Sequence, residues 1–499
     1  MIKKAQEPFK RGAGILLPVS SLPSDYGIGT FGKEAYKFVD FLRGAGQKYW
    51  QVLPLGPISY GDSPYSTSSA FASNPYYIDL EELIVQGLLR LDQVKSVNWG
   101  NVSKEVDYSI LHKERFSVLK IAYNNSQHKT EEDYLEFCKE NSFWLNDYGL
   151  YMAIKRQFNG KEWLRWPEEI MLRDPQTIDD MTKELQEEID FWKFCQYKLY
   201  SQWFKLKKYA NDNGIQIIGD IPIYVAFDSA DVWVNHNLFD LDEMRRPRHI
   251  AGVPPDMFSE AGQLWGNPIY DWEEMVNEDF EWWKARIKNN AKLYDVIRID
   301  HFIGIVNYYS IPAQSDTAKT GKWVQGPSEK LINAINEAVG DRKIIAEDLG
   351  NVTPEVRRVL KDSGYPGMKL LQMAFFGGSD NDNLPFNYDA NCVVYGGTHD
   401  NETLKDFFKN QSKEITKYAM DFLNIKRRRR IPWSIINCAY QSVGNTVIIQ
   451  MQDFLGLDNS ARINTPSTIG GNWKWRLKKG QITKKLESKI KKITTLYGR

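Results

Sequence analysis

Cysteine is scarce in this chain: its 499 residues hold four, Cys138, Cys195, Cys392 and Cys438, far apart and with no CxxC pair. That spacing excludes a disulfide framework and is expected of reduced thiols in a cytoplasmic protein. Net charge is missing as well, since Lys plus Arg and Asp plus Glu number 64 each, so neither nucleic acid nor an anionic membrane is expected as a partner. The local exception, Lys426 to Arg430 (KRRRR), reads as a solvated helix end or surface patch. No stretch approaches the ~18 apolar residues of a membrane span, and the opening MIKKAQEPFKRGAG has charge but no apolar signal core. No GxGxxG follows a strand, no DxDxDG order marks a calcium loop, and no His or Cys cluster has ligand spacing, so no cofactor and no metal are expected. Internal repeats and Pro- or Ser-rich linkers are also lacking, which leaves residues 1–499 as one unit.

What the chain does have is aromatic side chains, 13% of residues with 16 Trp and 26 Tyr, and a set of apolar strands that end in acid. Aromatic faces fill cores, and they also cover the C–H faces of sugars. Val296 to Phe302 (VIRIDHF) starts as a buried β-branched strand; strict alternation sends Val296, Arg298 and Asp300 to one face and Ile297, Ile299 and His301 to the other. A guanidinium beside a buried carboxylate favours its ionised form, as a nucleophile needs, although a structural ion pair has the same pattern. Lys343 to Gly350 (KIIAEDLG) ends in Glu347 and Asp348, and Cys392 to Asn401 (CVVYGGTHDN) ends in His399 and Asp400. In a (β/α)8 barrel the strand C-termini converge on one face, so acids far apart in sequence meet there. One carboxylate to attack a sugar and one to protonate the leaving oxygen are the requirements of glycosidic cleavage, with a third left to stabilise the transition state.

Further strands are expected at Gly12 to Val19, Tyr49 to Leu55, Ile215 to Val225, Met368 to Phe375 and Thr446 to Phe454, with a helix over Lys33 to Ala45. That makes eight. The alternation of β and α predicts a parallel (β/α)8 barrel with large insertions: about 57–210, mostly helical, after the second strand, and about 226–290 after the third. The second insertion contains Gly252 to Pro268 (GVPPDMFSEAGQLWGNP), which reads as a mobile lid carrying Trp265, or else as a Pro-rich loop whose Trp packs. Loops such as Gly61 to Tyr65 (GDSPY) are placed to carry the site.

Asp220 in GDIPIYV, Arg298 and Asp300 in VIRIDH, Glu347 in IIAEDLG, and His399 and Asp400 in GTHDNET resemble the four signature regions of the α-amylase superfamily. LPVSSLPSDYGIGTFG, GDSPYSTSSAFASNPYYIDL, GVPPDMFSEAGQLWGNPIYDW, QDFLGLDNSARINTP and NWKWR resemble its 4-α-glucanotransferases, the amylomaltases or disproportionating enzymes, from about Gly12 to Arg476. The resemblance implies transfer of an α-1,4-glucan segment to the 4-hydroxyl of another glucan, a maltooligosaccharide or glucose, with retention. It implies Asp300 as nucleophile, Glu347 as general acid/base and Asp400 as transition-state stabiliser. Arg298 would hold Asp300 ionised and would itself be among the substrate-binding residues, with Asp220, His399, Ser63, Tyr65, Trp265, His301 and Asn464. It also implies no separate C-terminal β-domain, and the Lys-rich stretch after Arg476 is too short for one of ~100 residues. An amylase-like hydrolase would use the same acids, and a non-catalytic glucan-binding protein would lack at least one of them.

Overall fold

The computed structural model describes residues 1–499 apart from 101–103 and 256–258. Its strands, in chain order, are β1 Gly12–Leu16, β2 Tyr49–Gln51, β3 Gln216–Ile221, β4 His249–Val253, β5 Gln263–Pro268, β6 Val296–Ile299, β7 Asn307–Pro312, β8 Lys322–Gln325, β9 Lys343–Ala346, β10 Gly367–Leu370, β11 Cys392–Tyr395 and β12 Thr446–Gln450. The eight expected strands are all present and are neighbours in the order β1, β2, β3, β6, β9, β10, β11, β12, parallel throughout, with β12 paired back to β1. This is the (β/α)8 barrel. Its eighth seam, β9 to β10, is thin: Ala346 N–H donates to the Pro366 carbonyl at 3.1 Å, and the Asp348 carboxylate accepts the Met368 N–H at 2.6 Å.

Period-two alternation builds the two faces of the wall. Leu16, Tyr49, Ile218, Val296, Ile345, Met368, Leu370, Val393, Tyr395 and Ile448 pack together inside the barrel, over Phe9. The intervening Ile15, Ile217, Ile297, Ile344, Val394 and Ile449 face the helices, as expected of strands buried on both sides. Gly14 points inward opposite Tyr49, where a Cβ would lie 2.5 Å from the Tyr49 Cβ, so its lack of a side chain makes room for that ring.

Strands are shorter than their apolar runs. Pro222, with no N–H to donate, follows the end of β3; after β10 the run continues as a 3-10 turn Leu371–Phe375, and after β12 as a helix Met451–Leu455. These continuations are buried loops at the barrel mouth, and hydrophobicity alone cannot separate them from strand. Between β2 and β3 the chain is mostly helical, with Tyr108–Asn125, Ser142–Gln157 and the 27-residue Gln186–Asp212 as its longest helices. The last runs on into β3 and packs Trp203 against Phe31 and Tyr294.

The ends of the expected lid are strand: Gly252 and Val253 close β4 and 263–268 form β5, the arms of an antiparallel hairpin joined to β7 and β8 in a second sheet of order β5, β4, β7, β8. Residues 256–258 of that stretch lie outside the described residues. The sheet draws one pair of strands from the connection after β3 and the other from the connection after β6. A small core of Tyr309, Ile311 and Ala318 lies against it.

Candidate active site

The site begins with a lateral pair inside the barrel. Asp220 on β3 is the register partner of Arg298 on β6, and both Asp220 oxygens accept from Arg298 Nη1, at 2.7 and 2.6 Å. One step up, Arg298 Nη1 also donates to Asp300 Oδ1 at 3.1 Å, and Nη2 lies 3.9 Å from Glu347 Oε2. A single guanidinium therefore underlies three carboxylates.

Two of the expected sugar contacts are corrected here. The Asp220 side chain is 0% exposed and that of Arg298 3%. Neither lines the cleft, because each sits a layer below the acids that do. Asp220 is occupied further by Tyr65, whose hydroxyl donates to Oδ2 at 2.7 Å.

A turn of unusual hand joins Asp300 to Glu347. Alternation stops at Ile299, and His301 adopts the left-handed conformation at φ 50°, a region disfavoured for side chains other than Gly though less so for His. His301 is thus brought to the cleft beside Asp300 and not to the opposite face, which corrects the expectation from strict alternation. The turn also aims the His301 N–H at Glu347 Oε2, 2.6 Å away. Leu349 N–H donates to Glu347 Oε1 at 3.1 Å, so the second acid is gripped through both oxygens.

Asp400 is held from another direction. Its Oδ1 accepts from the Asn464 amide at 2.6 Å, its backbone carbonyl from Arg462 at 2.7 Å, and Oδ2 lies 3.3 Å from His399 Nε2. Tyr65 stacks on His399 with ring centres 5.2 Å apart and planes at 12°, and Trp473 closes against both rings. The helical insertion steadies that Trp, since the Tyr108 hydroxyl donates to the Trp473 carbonyl at 2.9 Å. On the facing wall Trp265, from β5, meets His301 edge-on at 4.8 Å.

These side chains enclose a cleft of about 410 Å³ lined by Asp300, Glu347, Asp400, Ser63, Tyr65, Trp265, His301, His399 and Asn464. Tyr224, Gln263, Asn267, Ser467 and Trp473 line it too and were not anticipated as site residues. Trp473 lies in NWKWR and Asn267 in LWGNP, strings in which no local rule marks the residue that points inward. A groove of about 310 Å³ between helices Lys33–Gly44 and Lys484–Leu496 is no rival. Charges on its rim are already paired, Lys37 with Glu34 and Lys484 with Glu487.

Burial decides the protonation of the acids. Asp300 and Glu347 are both pushed upward, first by desolvation; Arg298 pulls both down, while Glu347 raises Asp300 and Asp348 raises Glu347. Arg298 does favour the ionised form of Asp300, as expected, but its charge is shared with Asp220, and burial outweighs it. Burial lowers His301 to about 4 and also lowers His399. Both rings are thus neutral at pH 7, and His301 Nε2 and His399 Nδ1 are buried without a protein hydrogen-bond partner. Among the described residues no group of His, Cys, Asp and Glu is arranged to hold a metal ion.

Acids flanking an aromatic cleft at the C-terminal mouth of a (β/α)8 barrel suit acetal chemistry on a sugar. Comparison with known proteins agrees. The family described as 4-alpha-glucanotransferase matches residues 17–483. A 4-alpha-glucanotransferase of Clostridium butyricum is 49% identical over 483 residues, spanning 96% of this chain and 99% of its own. One from Thermus thermophilus is 42% identical, spanning 95% and 96%. The solved amylomaltase from Streptococcus agalactiae in complex with acarbose superposes with a TM-score of 0.95 at 42% identity, over 98% of this chain and 100% of that one. The chain belongs to the 4-alpha-glucanotransferase family.

Proposed function

We propose that Asp300 is the nucleophile, Glu347 the general acid/base and Asp400 the transition-state stabiliser of an α-1,4-glucan transfer. The observation that carries the assignment is the shared guanidinium: Asp300 and Glu347 lie 3.1 and 3.9 Å from Arg298 at the cleft, and burial raises both acids. A nucleophile must be ionised and a general acid protonated, and a coupled pair with one proton supplies both. The proton is assigned to Glu347, whose side chain is 11% exposed against 27% for Asp300.

Asp300 attacks the anomeric carbon as the bond to the leaving 4-oxygen breaks and Glu347 transfers its proton to that oxygen. Asp400, fixed by Asn464, faces the developing positive charge. The 4-hydroxyl of an acceptor glucan, or of glucose, then gives its proton to Glu347 and displaces Asp300, and the two inversions leave the configuration retained. The neutral His301 and His399 rings line the cleft and are suited to hydrogen-bond sugar hydroxyls. Ser63, Tyr65, Trp265 and Asn464 complete that wall. The four unpaired cysteines favour a cytoplasmic setting.

Hydrolysis differs only in what attacks the intermediate. Trp265 and Trp473 on opposite walls favour a sugar over water, through stacking and exclusion of solvent. Incubation with maltotriose is the test. Transfer produces glucose and a ladder of longer maltooligosaccharides, whereas glucose and maltose without longer chains would establish hydrolysis. Glu347→Gln is expected to be inactive on maltotriose yet to form the glycosyl-enzyme from α-maltosyl fluoride, whose leaving group needs no proton. Parental turnover of maltotriose by that variant would reassign the acid.

A further inference from the structure

Asp348 is adjacent to Glu347 in sequence, yet its carboxylate does not enter the cleft. Oδ1 accepts the Met368 N–H of β10 at 2.6 Å. It lies so close to Gly367 that a Cβ there would come within 2.5 Å of Oδ2. This is the barrel seam with the thinnest ladder: among the described residues the Ala346 N–H of β9 donates to the carbonyl of Pro366, just before β10. Asp348 thus stands in for a missing strand carbonyl.

We propose that Asp348 is a positioning residue for the transfer reaction, closing the seam between β9 and β10 at the residue next to Glu347 and so placing a carboxylate beside it in the chain. The proposal rests on Glu347 being the acid/base.

Charge and contact separate cleanly here. The Met368 N–H favours the ionised form of Asp348 while burial opposes it more strongly, and whatever charge it carries acts on the neighbouring Glu347. Asp348 is among the groups that raise Glu347, acting with burial and against Arg298 and the N–H groups of His301 and Leu349. Asp348 itself is raised by burial and lowered by the Met368 N–H, by Lys369 on β10 and by Arg357 on helix Pro354–Ser363. Arg357 is largely spent on Asp382, 2.9 Å away. Cys392 on β11 is the other titratable neighbour, and burial holds its thiol neutral by pushing it to about 12.

Asp348→Asn keeps an oxygen for the Met368 N–H and removes the charge, whereas Asp348→Ala removes both. For Asp348→Asn the alkaline limb of kcat/KM on maltotriose is expected to move down by about one pH unit, with Tm unchanged. Asp348→Ala is expected to show the same displacement and a lower Tm. In a Glu347→Gln background, adding Asp348→Asn should leave the rate of glycosyl-enzyme formation from α-maltosyl fluoride within about twofold, because no proton is then required of residue 347. An unmoved alkaline limb in Asp348→Asn overturns the proposal, as does a loss of fluoride turnover in the double variant equal to the loss on maltotriose. Should Glu347→Gln alone turn over maltotriose at the parental rate, the acid/base reading fails and the proposal falls with it. That result is distinct from an unmoved limb in an enzyme whose Glu347→Gln variant is inactive.

Discussion

The two ends of the barrel use their charged side chains oppositely. At the N-terminal end Arg499, Arg11 and Asp295 are each satisfied by several protein groups. Arg499 donates to the carbonyls of Gly12, Ala439, Tyr440, Ser442, Gly444 and Asn445, and Arg11 reaches Tyr440, Ser442, Gly444 and Tyr497. Two guanidiniums thereby saturate the C-terminal turn of helix Ile431–Gln441, where the helix dipole favours cations. Asp295, just before β6, accepts from Ile217 N–H at 2.9 Å and Asn211 at 2.7 Å, with Arg342 at 3.2 Å and Lys207 at 3.5 Å. At the C-terminal end Asp220, Asp300 and Glu347 share Arg298, and two imidazole nitrogens have no protein partner. The matched end stabilises the fold. The other end crowds its acids around one cation at the cleft, at a cost in stability that the rest of the barrel offsets.

Four substitutions test that division, in order of expected effect. Asp300→Asn should lower kcat on maltotriose by about 10,000-fold or more while leaving Tm nearly unmoved, because an amide keeps the shape and loses the nucleophile. Wild-type activity in a homogeneous folded preparation would remove Asp300 from its role. Arg499→Ala should do the reverse: a loss of about 2–4 kcal/mol in urea unfolding, with kcat per folded molecule unchanged. A kcat that falls in step with stability would mean that the ends are not independent.

Asn464→Ala lies between these extremes. Without the 2.6 Å bond to Asp400, kcat should fall about tenfold, which corresponds to about 1.4 kcal/mol of transition-state stabilisation, with little change in KM. An equal rise in KM would make Asn464 a sugar contact more than a support for Asp400. Trp265→Ala should show the smallest effect, a lower ratio of maltooligosaccharide redistribution to glucose release and not a lower total rate. If both reactions fall together, Trp265 is a packing residue of the second sheet.

Legibility in the sequence followed the reach of local rules. The barrel strands were visible because β-branched alternation and acid ends are properties of a few consecutive residues, and Asp300, Glu347 and Asp400 do meet at one mouth. The second sheet was not visible. β8 (KWVQ) is largely exposed, β7 (NYYSIP) ends in Pro, and β4 and β5 sit among Gly and Pro residues that read as loop. Their pairing is set by tertiary contacts between distant inserts. The side of the barrel wall that His301 occupies depends on one backbone dihedral of positive sign, which side-chain type does not encode. Asp220 and Arg298 share the inward face with Asp300 but lie one layer deeper, and alternation gives a face without giving a depth.

That second sheet also sets a rule for recombining this chain with its relatives. Its strands enter from two separate barrel connections, and β4 is paired on one side to β5 from its own insert and on the other to β7 from the later one. A crossover placed between β5 and β7 would join half a sheet from each parent. Register between β4 and β7, His249 with Pro312 through Gly252 with Tyr309, would then be tested in every chimera. The two inserts are therefore a single heritable module despite the 38 residues, 269–306, that separate β5 from β7, and exchanges that keep them together should retain the wall that carries Trp265.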